Sequence, residues 1–556
     1  MAKGDDGWHV ANMGEAALLV TLGTRVTEKL ISAVDRLRAW LSVHRPPGIV
    51  DLVPGYASIL VIFEPTILGE ESLRVLLREG EVFVGMGNDG ESDTGSRHVI
   101  PVAYGGEFGP DLDSVAEMHA LTPAEVIRLH SGRVYKVAFL GFLPGFAYMR
   151  RLSKRIASPR LSVPRPRVPS GSVGLAGFQT GVYPFTSPGG WQIIGRTGVN
   201  IWDPTRAEPA LFAPGDTVRF APTNDISVQT KEVHAPETNK NPVFEVLEAG
   251  GLTTVQDRGR DGFAHLGLGA GGAFDSCAAY QANALVRNES HAAVLEMTWT
   301  GPRVRALRNV TIALAGSNFH LVSGSTPVPL GLSWFVRGGS VLRFVSAPSS
   351  KGMRSYMAVA GGFDAPLVLG SRSTSLLAGF GGIDGRAIQT GDVLGVADVV
   401  MDPVSLAGRS QQQPSGDISR EERTLRFVPF SGPQAALPAA VEQLISDRWL
   451  VTEHADRMGL RFRSEGGKVL PVQSEESASF GVVRGTIQLP PGGLPVVLGV
   501  DHQTTGGYPV LGVVIEADLS ILAQLMPGCR VRFVSVSVED ARAARAAFGV
   551  VERASP

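Results

Sequence analysis

Gln179-Thr180-Gly181-Val182-Tyr183-Pro184 returns near the other end of the chain, with one residue inserted, as Gln503-Thr504-Thr505-Gly506-Gly507-Tyr508-Pro509. Each copy leads to a second shared phrase. Pro214-Gly215-Asp216-Thr217-Val218-Arg219-Phe220 follows the first, and Pro527-Gly528-Cys529-Arg530-Val531-Arg532-Phe533 follows the second. A degenerate repeat of this kind predicts two related domains rather than one large one. A Gln, a Thr and a Tyr set between glycines form a loop of hydrogen-bonding groups with close backbone access. Two such loops facing one another across a domain interface would make a small-molecule site.

The chain has 556 residues, too many for one core, and its length predicts roughly three or four domains. Hydrophobic residues make up 44% and charged residues 19%, an ordinary globular balance. The 67 glycines and 37 prolines favour turn-rich β structure. A formal net charge of -2 gives no electrostatic case for nucleic acid or an anionic membrane surface. Cys277 and Cys529 show no metal or redox spacing, so a reducing, cytoplasmic setting is expected. Met1 to Val10 lacks the apolar core of a signal peptide. No apolar run is long enough to span a bilayer.

Outward from the repeat, Ala16 to Gly23 reads as a strand, and Arg25 to His44 carries the apolar spacing of an amphipathic helix. Ile49 to Val53 and Ala57 to Phe63, joined by Pro54-Gly55-Tyr56, read as a hairpin. Gly85 to Arg97 reads as loop. Thr122-Pro123-Ala124-Glu125 opens a short helix with a capping box. Short strands and Pro/Gly turns fill Val134 to Phe220. The domain boundaries expected are 1–225, a polar linker at 226–242, and 243–556, the last with a possible split near 403–423. Asp275 is the expected N-cap of a helix running to Arg287. Gly338 to Phe344 echoes the second repeat phrase again, which hints that the second half is itself two β units. The fold class expected is mainly β with some α, built from barrels or sandwiches.

Gly267-Leu268-Gly269-Ala270-Gly271-Gly272 fits a G-x-G-x-x-G pattern, but the strand that a dinucleotide fold needs before it is poor. Gly269, Gly271 and Gly272 could instead form an anion-holding nest at a helix start, or only a tight turn. There is no Walker A sequence, no G-x-S-x-G elbow and no zinc motif. Catalysis would therefore rest on polar side chains converging from several loops. Arg165 and Arg167, stiffened by Pro164, Pro166 and Pro169, are candidate carboxylate or phosphate forks, or solvated loop residues. Phe142, Phe146 and Tyr148 on a Pro/Gly turn would wall a pocket or plug a core. Asp111 and Asp113 read as helix caps. Asp456-Arg457 reads as a surface ion pair. Asp501-His502, directly before the second Gln-Thr loop, is a candidate acid/base pair, although neighbours on a strand face opposite ways.

Several of these stretches carry a resemblance. Gly141 to Tyr148, Val168 to Gly181, Ser187 to Trp191 and Ile194 to Thr197 resemble the allophanate-hydrolase-subunit-1 family, which includes the B subunit of bacterial 5-oxoprolinase and is also called kinase-A-inhibitor-like. Thr253 to Arg260, Gly272 to Asp275, Gly370 to Thr374, Gly432 to Gln434 and Gln503 to Pro509 resemble the subunit-2 family, which includes the C subunit of that enzyme. The resemblance is to a fusion, B then C, and it implies tandem cyclophilin-like β-barrels.

Both families resemble the carboxyltransferase part of urea carboxylase. The activity implied is ATP-dependent phosphorylation of 5-oxoproline, with ATP as its magnesium complex, followed by ring opening to glutamate with a separate A subunit. The alternatives are a carboxyltransferase module served by a biotin partner, since no Met-Lys-Met acceptor lies in this chain, and a regulator that inhibits a sensor histidine kinase. On the main reading, Arg165, Arg167, Arg372 and the glycine nest would take phosphate or carboxylate. Gln179, Tyr183, Gln503, Thr504 and Tyr508 would hold the amide or lactam, and Asp501 or His502 would move a proton. Homo-oligomerisation is left open.

Overall fold

Ala17–Thr21 and Ser58–Phe63 are apolar at nearly every position, as strands buried on both faces must be. In the computed structural model, which describes residues 7–86, 95–224, 241–317, 319–344, 352–411, 422–473 and 478–553, both faces of their sheet are covered. The sheet runs His9–Asn12, Ala17–Thr21, Ser58–Phe63, Ile49–Pro54, all antiparallel. Leu18, Val20, Ile59 and Val61 point to helices Glu28–Val43 and Glu70–Met86, meeting Leu37, Leu41, Leu73 and Leu77. Leu19, Leu60 and Val53 point the other way, onto Phe480, Val510 and Val513 near the far end of the chain. The N-terminal unit is thus docked on the C-terminal one. Polar ties reinforce the contact: Arg542 pairs with Glu70, and Arg545 pairs with Glu64 at 2.8 Å.

The repeat predicts related domains. The second Gln-Thr copy lies in a two-stranded ribbon, Phe480–Gly481 with Thr505–Gly506, while two closed seven-stranded barrels carry the copies of the second phrase. In the first, the closing strand Thr217–Pro222 lies parallel to Arg97–Tyr104. In the second, Arg530–Ser535 lies parallel to Arg423–Pro429. The matching Val218/Val531 and Phe220/Phe533 point into their barrels and are fully buried, so the alternation of the shared phrase is its barrel-facing pattern. The tandem-barrel architecture and the mainly β class follow.

Between the barrels lies a two-sheet unit, one sheet of six strands and one of five, sharing a single core of residues such as Val246, Leu295, Ile312 and Met357. The third echo, Val341–Phe344, lies here and pairs antiparallel on both sides, so it closes no barrel. Helix Ser276–Leu285 covers the five-stranded sheet, with Asp275 accepting from the Ala278 N–H at 3.0 Å as its N-cap.

The Thr122 capping box forms as expected. Asp111 differs: it sits at the N-cap position of Leu112–Met118 but makes no cap bond, because Arg165 and the Ile193 N–H claim its carboxylate. Glu70–Met86 is a helix that reaches into the stretch read as loop. Residues 87–94, most of the 226–242 linker and 412–421 of the second break lie outside the described residues.

Candidate functional site

The first Gln-Thr phrase is a barrel strand, Gln179–Val182, and not a loop. What meets the second phrase is the aromatic turn of the first barrel. Phe142, on the turn after strand Tyr135–Leu140, donates its backbone N–H to Thr505 Oγ1 at 3.2 Å. Gly141 has no room for a side chain, since a Cβ there would run into the Thr505 side chain. Beside this contact opens a cleft of about 310 Å3, at the small end of ligand sites. The first barrel contributes Phe142, Tyr148, Arg160, Pro164, Tyr183 and Trp191. The second contributes Ser479, Gln503, Thr505, Gly506, Gly507 and Tyr508.

The first-barrel wall is aromatic and rigid. Phe146 lies edge-to-face with Phe142, Tyr148, Tyr183 and Trp191 at centroid distances of 5.5, 5.1, 5.3 and 5.2 Å. The aromatic turn therefore both plugs and lines: Phe146 is core, while Phe142 and Tyr148 face the cleft. Gly189 must lack a side chain, because a Cβ would stand 2.5 Å from the Tyr183 hydroxyl. Burial raises the Tyr56, Tyr148 and Tyr183 phenols, Tyr148 to about 12, with Arg160 opposing the rise at all three. These tyrosines are neutral hydrogen-bonding groups at physiological pH, not bases.

The second-barrel wall is polar. Gln503 and Tyr508 are half-buried, and their side chains have no hydrogen-bond partner among the described residues. Thr504 is buried with an unpaired Oγ1, and Gln179 has a buried, unpaired Oε1. Both stand beside the cleft in sequence but do not line it. His502 Nδ1 lies 2.7 Å from the Gln503 carbonyl. A carbonyl only accepts, so Nδ1 carries the proton and Nε2 is left as an acceptor. Burial lowers the His502 pKa to about 4, helped by Arg484 and opposed by the Gln503 carbonyl and Asp501.

Asp501 faces away from that bond, gripping Arg457 through Nε at 2.7 Å and Nη2 at 3.0 Å. Arg457 also reaches Glu296 at 2.5 Å and the Gly272 carbonyl at 2.8 Å. Arg457 is thus no surface residue; its side chain is 5% exposed. Burial alone would push the Glu296 carboxyl up, but Arg457 and Arg354 hold it below the usual range.

The glycine segment is a wedge. The N–H groups of Gly267, Leu268, Gly271 and Ala273 bond to carbonyls of Ala264, Phe263, Val500 and Asp257. A Cβ on Gly269 would stand 2.8 Å from the His502 carbonyl. Of Gly269, Gly271 and Gly272, the Gly271 N–H is thus already taken by the Val500 carbonyl, and Asp275 already caps the helix that follows. The arginines separate too. Arg165 is locked on Asp111 at 2.9 and 2.6 Å. Arg372 is held by Asp364 and the Ala365 carbonyl in the middle unit. Arg167 is exposed, with no partner among the described residues. Of the residues singled out from sequence, Phe142, Tyr148, Tyr183, Gln503 and Tyr508 converge on the cleft. Arg160, Trp191, Ser479 and Thr505 join them without having been singled out. Arg160 carried a signal, since Pro159-Arg160 repeats the Pro-Arg pattern of Pro164-Arg165.

Comparison with known proteins matches residues 8–212 to the family model "Carboxyltransferase domain, subdomain C and D" and residues 266–535 to "Carboxyltransferase domain, subdomain A and B". The chain is 37% identical over 244 residues to the B subunit of 5-oxoprolinase from Bacillus subtilis, covering 42% of this chain and 98% of that protein. It is 35% identical over 303 residues to the C subunit of 5-oxoprolinase from Escherichia coli, covering 54% of this chain and 94% of that protein. A urea amidolyase of Lachancea kluyveri is 31% identical over 54% of this chain but only 17% of its own length. The crystal structure of TTHA0988 superposes with a TM-score of 0.80 at 34% identity, covering 93% of this chain and 99% of the other.

Proposed function

We infer function from the premise that this chain belongs to the carboxyltransferase-domain family, joining in one polypeptide the halves that are separate B and C subunits in its 5-oxoprolinase relatives. It is the B–C component of an ATP-dependent 5-oxoprolinase of the cytoplasm, and the reaction is completed by a separate A subunit. The observation that carries this reading is the shared cleft: Tyr183 of the first half and Gln503 and Tyr508 of the second line one space. Each half alone would hold half a site.

A lactam presents a carbonyl acceptor beside an N–H donor. The Gln503 amide offers the complementary pair, and the Tyr508 and Tyr183 hydroxyls add further donors or acceptors. A lactam carbonyl is a poor electrophile. Transfer of the ATP γ-phosphoryl group to its oxygen, with release of ADP, would activate the carbon for addition of water. Expulsion of the ring nitrogen as the amine and hydrolysis of the acyl phosphate would then yield glutamate and phosphate. Such transfer relies on positioning and electrostatics. Rigid walls supply the positioning, and His502, through its bond to the Gln503 carbonyl, orients the loop. Of Arg165, Arg167 and Arg372, only Arg167 keeps an open guanidinium among the described residues, and it lies outside the lining of the cleft. Mixing the chain with a candidate A subunit, magnesium, ATP and 5-oxoproline should release glutamate, and omission of ATP should abolish release. ATP-independent release, or none with a competent A subunit, refutes the reading.

The family description and the urea amidolyase relative favour a second reading, a carboxyltransferase module working with a biotin carrier on another chain. Activity that avidin abolishes would establish it.

A further inference from the structure

The cleft contains one cation with nothing to hold. Arg160 lies on its rim, exposed. No carboxylate, carbonyl or other partner engages its guanidinium among the described residues. The neighbouring arginines are mostly spent, Arg165 on Asp111 and Arg150 on Glu28. The remaining lining residues of the cleft are neutral: aromatic rings on one side, and the Gln503 amide and Tyr508 phenol on the other. The charge of Arg160 is felt by three phenols at once, those of Tyr56, Tyr148 and Tyr183. Arg160 shares the lining of the cleft with Tyr148, Tyr183 and Trp191.

We propose that Arg160 is the carboxylate anchor of the cleft and makes the site selective for a small amide or lactam bearing one negative charge over a neutral one. This rests on the lactam reading above and deepens it. A single fork matches a single carboxylate, whereas a phosphate with its higher charge normally gathers several donors. With the carboxylate on Arg160, the ring body lies against Tyr148, Tyr183 and Trp191. The lactam edge is then presented to Gln503 and Tyr508. Urea, which carries no charge, leaves the guanidinium unanswered. The same arginine thus bears on which of the two readings of the family applies here.

The test uses the full chain with its A subunit, comparing 5-oxoproline with 2-pyrrolidinone, the same ring without its carboxylate. The wild-type protein should favour 5-oxoproline. Arg160→Gln should raise KM for 5-oxoproline by about tenfold to a hundredfold, the effect of losing hydrogen bonds to a charged group, with kcat changed far less. KM for 2-pyrrolidinone should not move, and Arg160→Lys should fall between. An unchanged melting temperature for Arg160→Gln, expected of an exposed side chain, shows that the fold is intact. Equal preference in wild type and Arg160→Gln overturns the anchor while leaving the lactam cleft standing. Failure of the wild-type protein to bind either lactam by calorimetry overturns both.

Discussion

The Phe142 N–H and the Thr505 hydroxyl, 363 residues apart in sequence, are joined by a 3.2 Å hydrogen bond that pins the aromatic turn of one barrel to the Gln-Thr loop of the other. Beside it, the bare Cα of Gly141 faces the Thr505 side chain. Both Gly141 and Thr505 are buried, so neither loop can shift to make space. Gly141→Ala should destabilise the chain by about 1–3 kcal/mol, the usual cost of overpacking a filled interior. It should also lower turnover by displacing the Gln503 side of the cleft. Thr505→Ala removes the atoms nearest the new methyl group, so the double variant should recover part of the loss. Urea titrations of the two single variants and the double variant measure the coupling. Strictly additive effects would show that the two loops do not press on one another.

Arg457 binds three elements: Glu296 of the middle unit, Asp501 before the Gln-Thr loop, and the Gly272 carbonyl of the wedge. Glu296 and the Arg457 side chain are almost wholly buried. Removing Arg457 leaves Glu296 with only the more distant Arg354 as a cation, at 3.8 Å, and takes the ion-pair partner from Asp501. Arg457→Met should therefore cost about 3–5 kcal/mol, the usual range for breaking a buried pair. Arg457→Lys keeps the charge but loses the fork, and should fall between. Chemical denaturation with a cooperative transition is the appropriate measurement; a change below about 1 kcal/mol for Arg457→Met would mean that the cluster contributes little.

The barrels are legible in the sequence because both copies of the closing phrase place Val and Phe at alternate positions, and inward-facing strand residues obey that period whatever surrounds them. Capping is legible for Thr122 and Asp275 because partner and cap lie within one turn. Asp111 shows the limit. Its local pattern suits a cap, but its carboxylate is taken by Arg165, 54 residues away. Arg457 reads as a surface residue for the same reason, since Glu296 is 161 residues distant. Helix Glu70–Met86 is hard to read because Val75, Val82 and Phe83 are exposed and blur its buried stripe of Leu73 and Leu77. In the site, the repeat singles out Tyr183, Gln503 and Tyr508. It cannot reveal Arg160, which lies outside the repeated phrases.

His130 is sealed inside the first barrel, and its tautomer follows from its neighbours. The Thr180 hydroxyl donates to the Gly174 carbonyl at 3.0 Å, so its oxygen accepts from His130 Nε2 at 3.0 Å. Nδ1 then accepts from the Tyr104 hydroxyl at 2.8 Å. Burial lowers the His130 pKa to about 3. The unfolded chain protonates this residue near its ordinary value of 6.5. The stability it contributes is therefore fully present above that value and is lost as pH falls toward 3, at up to about 1.4 kcal/mol per unit. Between pH of about 7 and about 5, His130 alone should remove roughly 2 kcal/mol of unfolding free energy. A His130→Gln variant, less stable at neutral pH, should lack this part of the slope. Parallel pH dependences for the two proteins would place the burden of acid sensitivity elsewhere.

His502 gives the opposite expectation for activity. With its pKa lowered to about 4 by burial, it is neutral at neutral pH, and its Nδ1–H is committed to the Gln503 carbonyl. Protonation of Nε2 would put a charge beside Arg484, whose own charge already disfavours it. Burial and the charge of Arg484 both disfavour a proton on Nε2, so kcat/KM should show no inflection near pH of about 6.5 that His502→Asn removes. What the residue supplies is the orientation of the loop carrying Gln503. An asparagine amide can still donate to that carbonyl, whereas alanine cannot. His502→Asn should keep most of the activity and His502→Ala should lose about tenfold or more, chiefly through misplacement of Gln503. Should both variants fall equally, with an acid limb vanishing from the pH profile, His502 would be a proton carrier instead of a positioning residue.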